Sequence, residues 1–162
     1  PETIVISTLN ASSELGKLMS NAMLAQRISS INSITSLTEK FEECSVDDVK
    51  AIVGQTPESA PVFKPSPGFG GSCFEKDILS LVHILYENGE LLSAQYWQAV
   101  LDMNTHQKLR LAQMISKDLK DKKKVCIFGF SFKKNTSDTR LSQSAFIINY
   151  LSQNFKVSVH DP

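Results

Sequence analysis

Three features of this 162-residue sequence predict a mainly α-helical domain followed by a partial α/β domain. Apolar residues recur at three- and four-residue steps from Leu15 to Leu119, the pattern of amphipathic helices. After Lys124 the pattern changes to an apolar run, a polar loop, a short helical stretch and a second apolar run, which together make one βαβ unit. Between the early helices, residues 55–72 hold four of the six prolines and three of the seven glycines. No regular element survives that composition, and a loop so long inside a domain is usually functional.

Taken in order, Thr3 to Thr8 is a β-branched run that reads as a strand. Leu15, Leu18, Met19, Ala22, Met23, Ala25, Ile28, Ile31, Ile34, Leu37 and Phe41 then mark one helix, with Ser12 or Ser13 able to cap it. That length suggests a helix that crosses between domains or pairs with a second chain. Ser45-Val46-Asp47-Asp48 is a capping-box pattern for a short helix that ends at Gly54, a residue able to take a left-handed conformation there. Helical periodicity returns at Phe74 and stops near Gly89, and a second long helix runs from Leu92 to Leu119. Lys120 to Lys124 is a basic connector. Val125 to Phe130 suits a strand buried on both faces of a parallel sheet; residues 131–140 read as a loop, 141–153 as a helix, and Lys156 to His160 as the second strand.

Composition narrows the function classes. Seventeen basic residues balance seventeen acidic ones, so there is no general field for nucleic acid or an anionic membrane. No apolar run approaches the roughly 20 residues of a membrane helix. Cys44, Cys73 and Cys126 are odd in number and lack metal-type spacing, which favours free thiols in a reducing, cytoplasmic setting. Cys126, inside an apolar strand, reads as inert core. His83, His106 and His160 are far apart, and no metal site is expected.

The sharpest chemical feature is Gly68-Phe69-Gly70-Gly71-Ser72-Cys73-Phe74-Glu75-Lys76-Asp77. Glycines let the backbone approach a ligand and expose amides. Cys73 falls at a helix start, where the dipole and unpaired N–H groups favour a thiolate. Asp77 is four residues on and shares its face. Spacing alone leaves two readings open, a nucleophile assisted by a carboxylate and a small packed thiol. Lys17 and Asn21 form an i,i+4 pair that could address an oxyanion or a transferring proton; taken alone, a solvated lysine is the commoner case. Gly129 to Asn135 follows a parallel strand, where α/β sheets bind ligands. With one glycine it is no dinucleotide fingerprint, and Lys133, Lys134 and Arg140 are either phosphate ligands or a solvated basic loop.

These residues together resemble the nucleotide-sugar dehydrogenase family. The stretches are Ser13 to Lys17 with Asn21, Ala25 to Ser33, Gly68 to Asp77, Tyr96-Trp97-Gln98, Asp102-Met103-Asn104, and Gly129 to Lys134 with Asp138-Thr139-Arg140. They are collinear across the chain. Ala25 to Ser33 and Phe74 after the cysteine point to the UDP-glucose branch. The resemblance implies oxidation of UDP-glucose to UDP-glucuronate with NAD, through a thiohemiacetal and a thioester on Cys73. It implies catalytic roles for Cys73, Lys17, Asn21 and Asp77. Substrate contacts would fall on Lys17, Asn21, Lys64, Phe69, Gly70, Phe132 and Lys133, and cofactor contacts on Cys73, Lys76 and Arg140. Other implied readings are a GDP-mannose or N-acetylated-sugar dehydrogenase, or a non-catalytic dimerisation and nucleotide-binding module. The same resemblance places residues 1–10 at the end of an otherwise absent N-terminal NAD-binding domain. It makes 11–120 a helical central domain that self-associates through its first helix, and 121–162 the start of a C-terminal UDP-sugar-binding, Rossmann-like α/β domain. Such a piece is expected to be inactive by itself, because the family's NAD fingerprint is not in it.

Overall fold

A computed structural model describes residues 4–55, 64–119 and 123–161. The element order is α1 (Asn10–Ser33), α2 (Thr35–Thr38), α3 (Val46–Val53), α4 (Ser72–Glu87), α5 (Leu91–Leu119), β1 (Lys124–Phe128), α6 (Gln143–Leu151) and β2 (Lys156–His160). The predicted class is therefore observed, a helical body followed by a two-stranded parallel sheet with its crossover helix. β1 and β2 pair in parallel, with Lys124 opposite Lys156 and Phe128 opposite His160.

The helical core lies among α1, α4 and α5. Small residues on α1 (Ala22, Ala25) meet Ile78, Leu81 and Val82 of α4 and Ala94, Val100 and Leu101 of α5. Ile78 is fully buried, a contribution of about 1.5–3 kcal/mol from removing its side chain from water. Ser29 lets α1 and α5 approach closely and donates its hydroxyl to the Val100 carbonyl at 2.9 Å. A second core forms where Ile147 and Leu151 of α6 pack on Ala112 of α5, flanked by Leu111, Ile115, Leu119, Val125, Ile127 and Val157. One helix thus serves both cores.

Several local expectations are corrected. Residues 4–9 form no strand, and Ile4, Val5 and Ile6 stand exposed, because no neighbouring strand among the described residues supplies ladder partners. Thr3 lies outside the described residues. Neither Ser12 nor Ser13 caps α1, which starts after Leu9 without a side-chain cap. The long helix breaks at Ile34. There Ser33 and Thr35 turn their hydroxyls back to the carbonyls of Ser30 and Asn32, competing with the backbone ladder. Arg110 braces the break by donating to Glu39 at 2.6 Å and to Thr35 Oγ1 at 3.1 Å.

Ser45 caps α3, but by accepting from the Asp47 amide at 3.2 Å, two residues on rather than the three of a capping box. Gly54 closes that helix at φ −73°, an ordinary right-handed conformation rather than a left-handed one. Helix α4 starts two residues earlier than its apolar period, since Ser72 and Cys73 form its first turn. The βαβ helix is shorter than 141–153, because Ser142 caps it through the Ala145 amide at 3.0 Å. Strand β1 is not buried on both faces: its residues alternate between exposed and half-buried, and Phe128 is 78% exposed. Cys126 is accordingly exposed, not core. An apolar run marks a strand suited to burial on both faces, and among the described residues α6 and the end of α5 cover one face of this two-stranded sheet.

Candidate functional site

The Pro/Gly-rich loop is held by side-chain amides. Asn32 Oδ1 accepts from the Ser66 amide at 2.9 Å, and Gln107 Nε2 donates to the Ser66 carbonyl at 3.2 Å. Asn104 of α5 accepts from the Phe69 amide at 2.7 Å and donates to the Phe69 carbonyl at 3.1 Å. Gln143 at the start of α6 donates to the Gly68 carbonyl at 2.5 Å. The Phe69 ring, 3% exposed, enters the helical core and meets Phe74 edge to face. Its ring is thus packed in the core and its backbone N–H and C=O are both bonded to Asn104.

The glycines are required by what crowds them. A Cβ on Gly70 would sit 2.6 Å from the Leu141 carbonyl oxygen and 3.2 Å from Phe132 Cβ. Gly71, at φ +82°, would meet the Phe132 ring at 3.0 Å. Its amide donates to the Arg140 carbonyl at 3.1 Å. Leu141 itself lies at φ +51°, a left-handed conformation that costs a non-glycine residue about 1–2 kcal/mol. The turn of the α/β unit is thus pressed against the glycine loop.

Gly71 caps α4 without a side chain, and Cys73 follows, exposed, in the first turn. Cys73 opens on a cavity of about 440 Å³ walled by the glycines, Phe132, Lys133 and Asp138. A larger hollow of about 1030 Å³ lies at the carboxyl ends of β1 and β2, and Lys133 borders both. One turn beyond Cys73 is Asp77, 1% exposed, which accepts from Lys17 Nζ at 2.5 Å and from Asn21 Nδ2 at 2.6 Å through the same Oδ2 oxygen. Burial pushes the Asp77 carboxyl up, but the bonds from Lys17 and Asn21 and the charges of Lys17 and Lys76 outweigh it, leaving it below its ordinary value. The lysine and amide separated by 56 to 60 residues from this carboxylate are therefore one cluster with it.

Arg140 forks onto Asp138, with Nε to Oδ1 at 3.0 Å and a terminal nitrogen to Oδ2 at 2.8 Å. These hydrogen bonds hold the Asp138 carboxyl down at about 2. The Arg140 value is raised in return by that pair, and to a lesser degree by Cys73 nearby. Lys64 and Lys76 are exposed. The amides after β1 are already engaged: Gly129 donates to the His160 carbonyl, and Phe130 and Ser131 donate to Asp161 at 3.0 and 3.1 Å. Those three amides are thus bonded within the fold. Among the described residues no group of His, Cys, Asp and Glu could hold a metal ion, and no helix is long and apolar enough to cross a membrane.

Sequence reasoning missed Asn104 and Gln143 as loop holders. Asn104 had a visible signal, a polar residue at a buried position of the α5 stripe between Val100 and Leu111. Gln143 had none, since a glutamine in the first turn of a helix is an ordinary solvated residue by pattern.

A helical domain that presents a cysteine on a glycine turn, joined to a βαβ unit, defines a class, and comparison with known proteins assigns it. Residues 11–106 match the central domain of the UDP-glucose/GDP-mannose dehydrogenase family, and residues 126–162 match that family's UDP binding domain. The chain belongs to this family. It is 44% identical over its whole length to proteins named UDP-glucose 6-dehydrogenase from Caenorhabditis elegans, Gallus gallus and Mus musculus. It spans about a third of their length (34%). A solved UDP-glucose dehydrogenase from the archaeon Pyrobaculum islandicum superposes with a TM-score of 0.82 at 30% identity, covering 91% of this chain and 34% of that one. A UDP-D-ManNAc dehydrogenase from Pyrococcus horikoshii shares the fold at 21% identity and a TM-score of 0.79, over 93% of this chain and 36% of its own.

Proposed function

We propose that this chain carries the thiol half of an NAD-dependent UDP-glucose 6-dehydrogenase, which oxidises UDP-glucose to UDP-glucuronate. The observation that carries the reading is the placement of Cys73 at an uncapped helix start, one turn from a buried carboxylate that gathers Lys17 and Asn21. Cys73 sulfur adds to the C6 aldehyde carbon, forming a thiohemiacetal, and after oxidation to the thioester water breaks the C–S bond and returns the thiol. The first turn of α4 leaves the attacking sulfur exposed at the cavity wall. Lys17 and Asn21 stabilise the oxygen that gains charge at each addition, and Asp77 holds both donors in place.

NAD, when bound, supplies the hydride acceptor for both two-electron oxidations. The residues present fit one wall of its site: Lys76 and Arg140 are exposed cations beside Cys73. The sugar nucleotide fits between the two cavities that Lys133 joins, its nucleotide toward the sheet and its sugar toward Cys73. Free cysteines suit a cytoplasmic enzyme, and self-association through α1 suits the exposed apolar residues along it. The test is an assay of the full-length protein for NADH formation from NAD and UDP-glucose, with Cys73→Ser beside it. No oxidation of UDP-glucose would overturn the reading. The 162 residues alone are expected to form no NADH.

A further inference from the structure

The Gly68–Phe69 peptide is gripped at both ends by side-chain amides from different parts of the fold. Its carbonyl accepts from Gln143 of α6 at 2.5 Å, and its N–H donates to Asn104 of α5 at 2.7 Å. A peptide is planar, so two bonds on its two poles fix its rotation about the chain. The next residues are Gly70 and Gly71, whose soft dihedrals would otherwise let the start of α4 wander. Gln143 Oε1 also lies 3.1 Å from where a Gly70 Cβ would be, which wedges this side chain between Gly68 and Gly70. Gln143 is half-buried and borders the same cavity as Cys73.

We infer that Gln143 is a positioning residue for Cys73: by holding the Gly68 carbonyl it sets the glycine turn, and through it the direction in which the Cys73 thiol enters the cavity. Asn104 is the fixed side of the grip, because it is 4% exposed on a helix of the main core. Gln143 is the adjustable side, because it arrives from the α/β unit, so the position of that unit is transmitted to the thiol. The turnover part of this inference rests on the reading of Cys73 as the nucleophile. The positional part does not.

The experiment uses the full-length protein with Gln143→Met, which keeps the length and removes the donor, and Gln143→Lys, which restores a donor of similar reach. Two quantities are read: the iodoacetamide rate of Cys73 relative to Cys44 in the same molecule, and kcat and KM for UDP-glucose oxidation. Gln143→Met is expected to change the Cys73:Cys44 ratio at least threefold and lower kcat about tenfold, with KM within twofold. Gln143→Lys is expected to recover at least half of each loss. A ratio within twofold of the parent in Gln143→Met overturns the inference, whether or not kcat falls. A changed ratio in a protein whose parent does not oxidise UDP-glucose upholds the positioning role and sinks the proposed activity instead. Should Gln143→Met fail to fold by circular dichroism, Gln143→Ser, which lacks the reach, is read in the same way.

Discussion

Lys17 Nζ lies 2.5 Å from Asp77 Oδ2, yet the lysine side chain is 60% exposed and the aspartate 1%. The two ends of this pair are therefore in different media, and removing one is not equivalent to removing the other. Lys17→Met strands a buried carboxylate with Asn21 as its remaining donor. After discounting for the solvent around the lysine, the cost is about 1–2 kcal/mol. Asp77→Asn should cost less, since the freed ammonium turns to water and the new amide still accepts from Asn21. Urea denaturation of both variants at neutral pH checks the order; equal losses would contradict it.

The same cluster sets an acid limit. The Asp77 carboxyl lies below its ordinary 3.8, although burial alone would raise it, because bonds from Lys17 and Asn21 and the charges of Lys17 and Lys76 prevail. A carboxyl depressed in the folded state stabilises fully above its unfolded value and loses that contribution as pH falls through the folded one. The loss therefore belongs below about pH 4, not near neutrality. Denaturation at stepped pH should show a smaller acid loss in Asp77→Asn than in the parent.

Two glycines should answer oppositely to alanine. A methyl on Gly70 meets the Leu141 carbonyl at 2.6 Å, a backbone atom that cannot swing away. Gly70→Ala is expected to cost about 1–3 kcal/mol by overpacking. Gly16, inside α1 with nothing within 4 Å, should gain up to about 1 kcal/mol as alanine. Thermal melts of the two variants read the contrast directly.

All three cysteines are exposed, so access alone does not rank them. Only Cys73 sits in the first turn of a helix that lacks a side-chain cap. It should alkylate several-fold faster than Cys44 or Cys126 in brief iodoacetamide treatment mapped by mass spectrometry. Equal labelling of Cys44 would show that the helix start does not activate the thiol.

Helix α1 leaves Leu15 and Met23 exposed, and Leu37 and Phe41 follow beyond its break. A groove between α1 and α5 is lined by Gln26, Ser30, Tyr96 and Met103. A second copy docked there in a two-fold contact would cover these residues. Sedimentation at micromolar concentration should give a dimer, and Met23→Glu should shift it toward monomer.

The helices were legible because α1, α4 and α5 bury one stripe each, and a stripe writes its period into the sequence. The strand expected at Thr3 to Thr8 does not form over residues 4–8, because β-branched composition records a preference, while a strand also needs a partner to pair with. The break at Ile34 escaped because apolar spacing continues through it. Hydroxyls of Ser33 and Thr35 decide the backbone there, and they leave no periodic trace. At the site, Cys73 and Asp77 were joined by helical spacing, and Lys17 with Asn21 likewise. That Lys17 and Asn21 share one oxygen of Asp77 depends on how α1 packs on α4, which local pattern does not encode.

Helix α5, 29 residues and roughly 44 Å long at 1.5 Å per residue, contributes to both cores. A single rigid rod thus acts as a spar under the whole described molecule. Its early turns are locked into the three-helix core, and its late turns carry α6 through Ala112, Ile147 and Leu151. The α/β unit cannot swing like a door while that seam holds. A change in the cleft beside Cys73 that keeps this seam buried would come as shear, α6 sliding on the spar by fractions of a side chain. Such sliding keeps the apolar contacts buried while altering the reach of whatever projects from the start of α6.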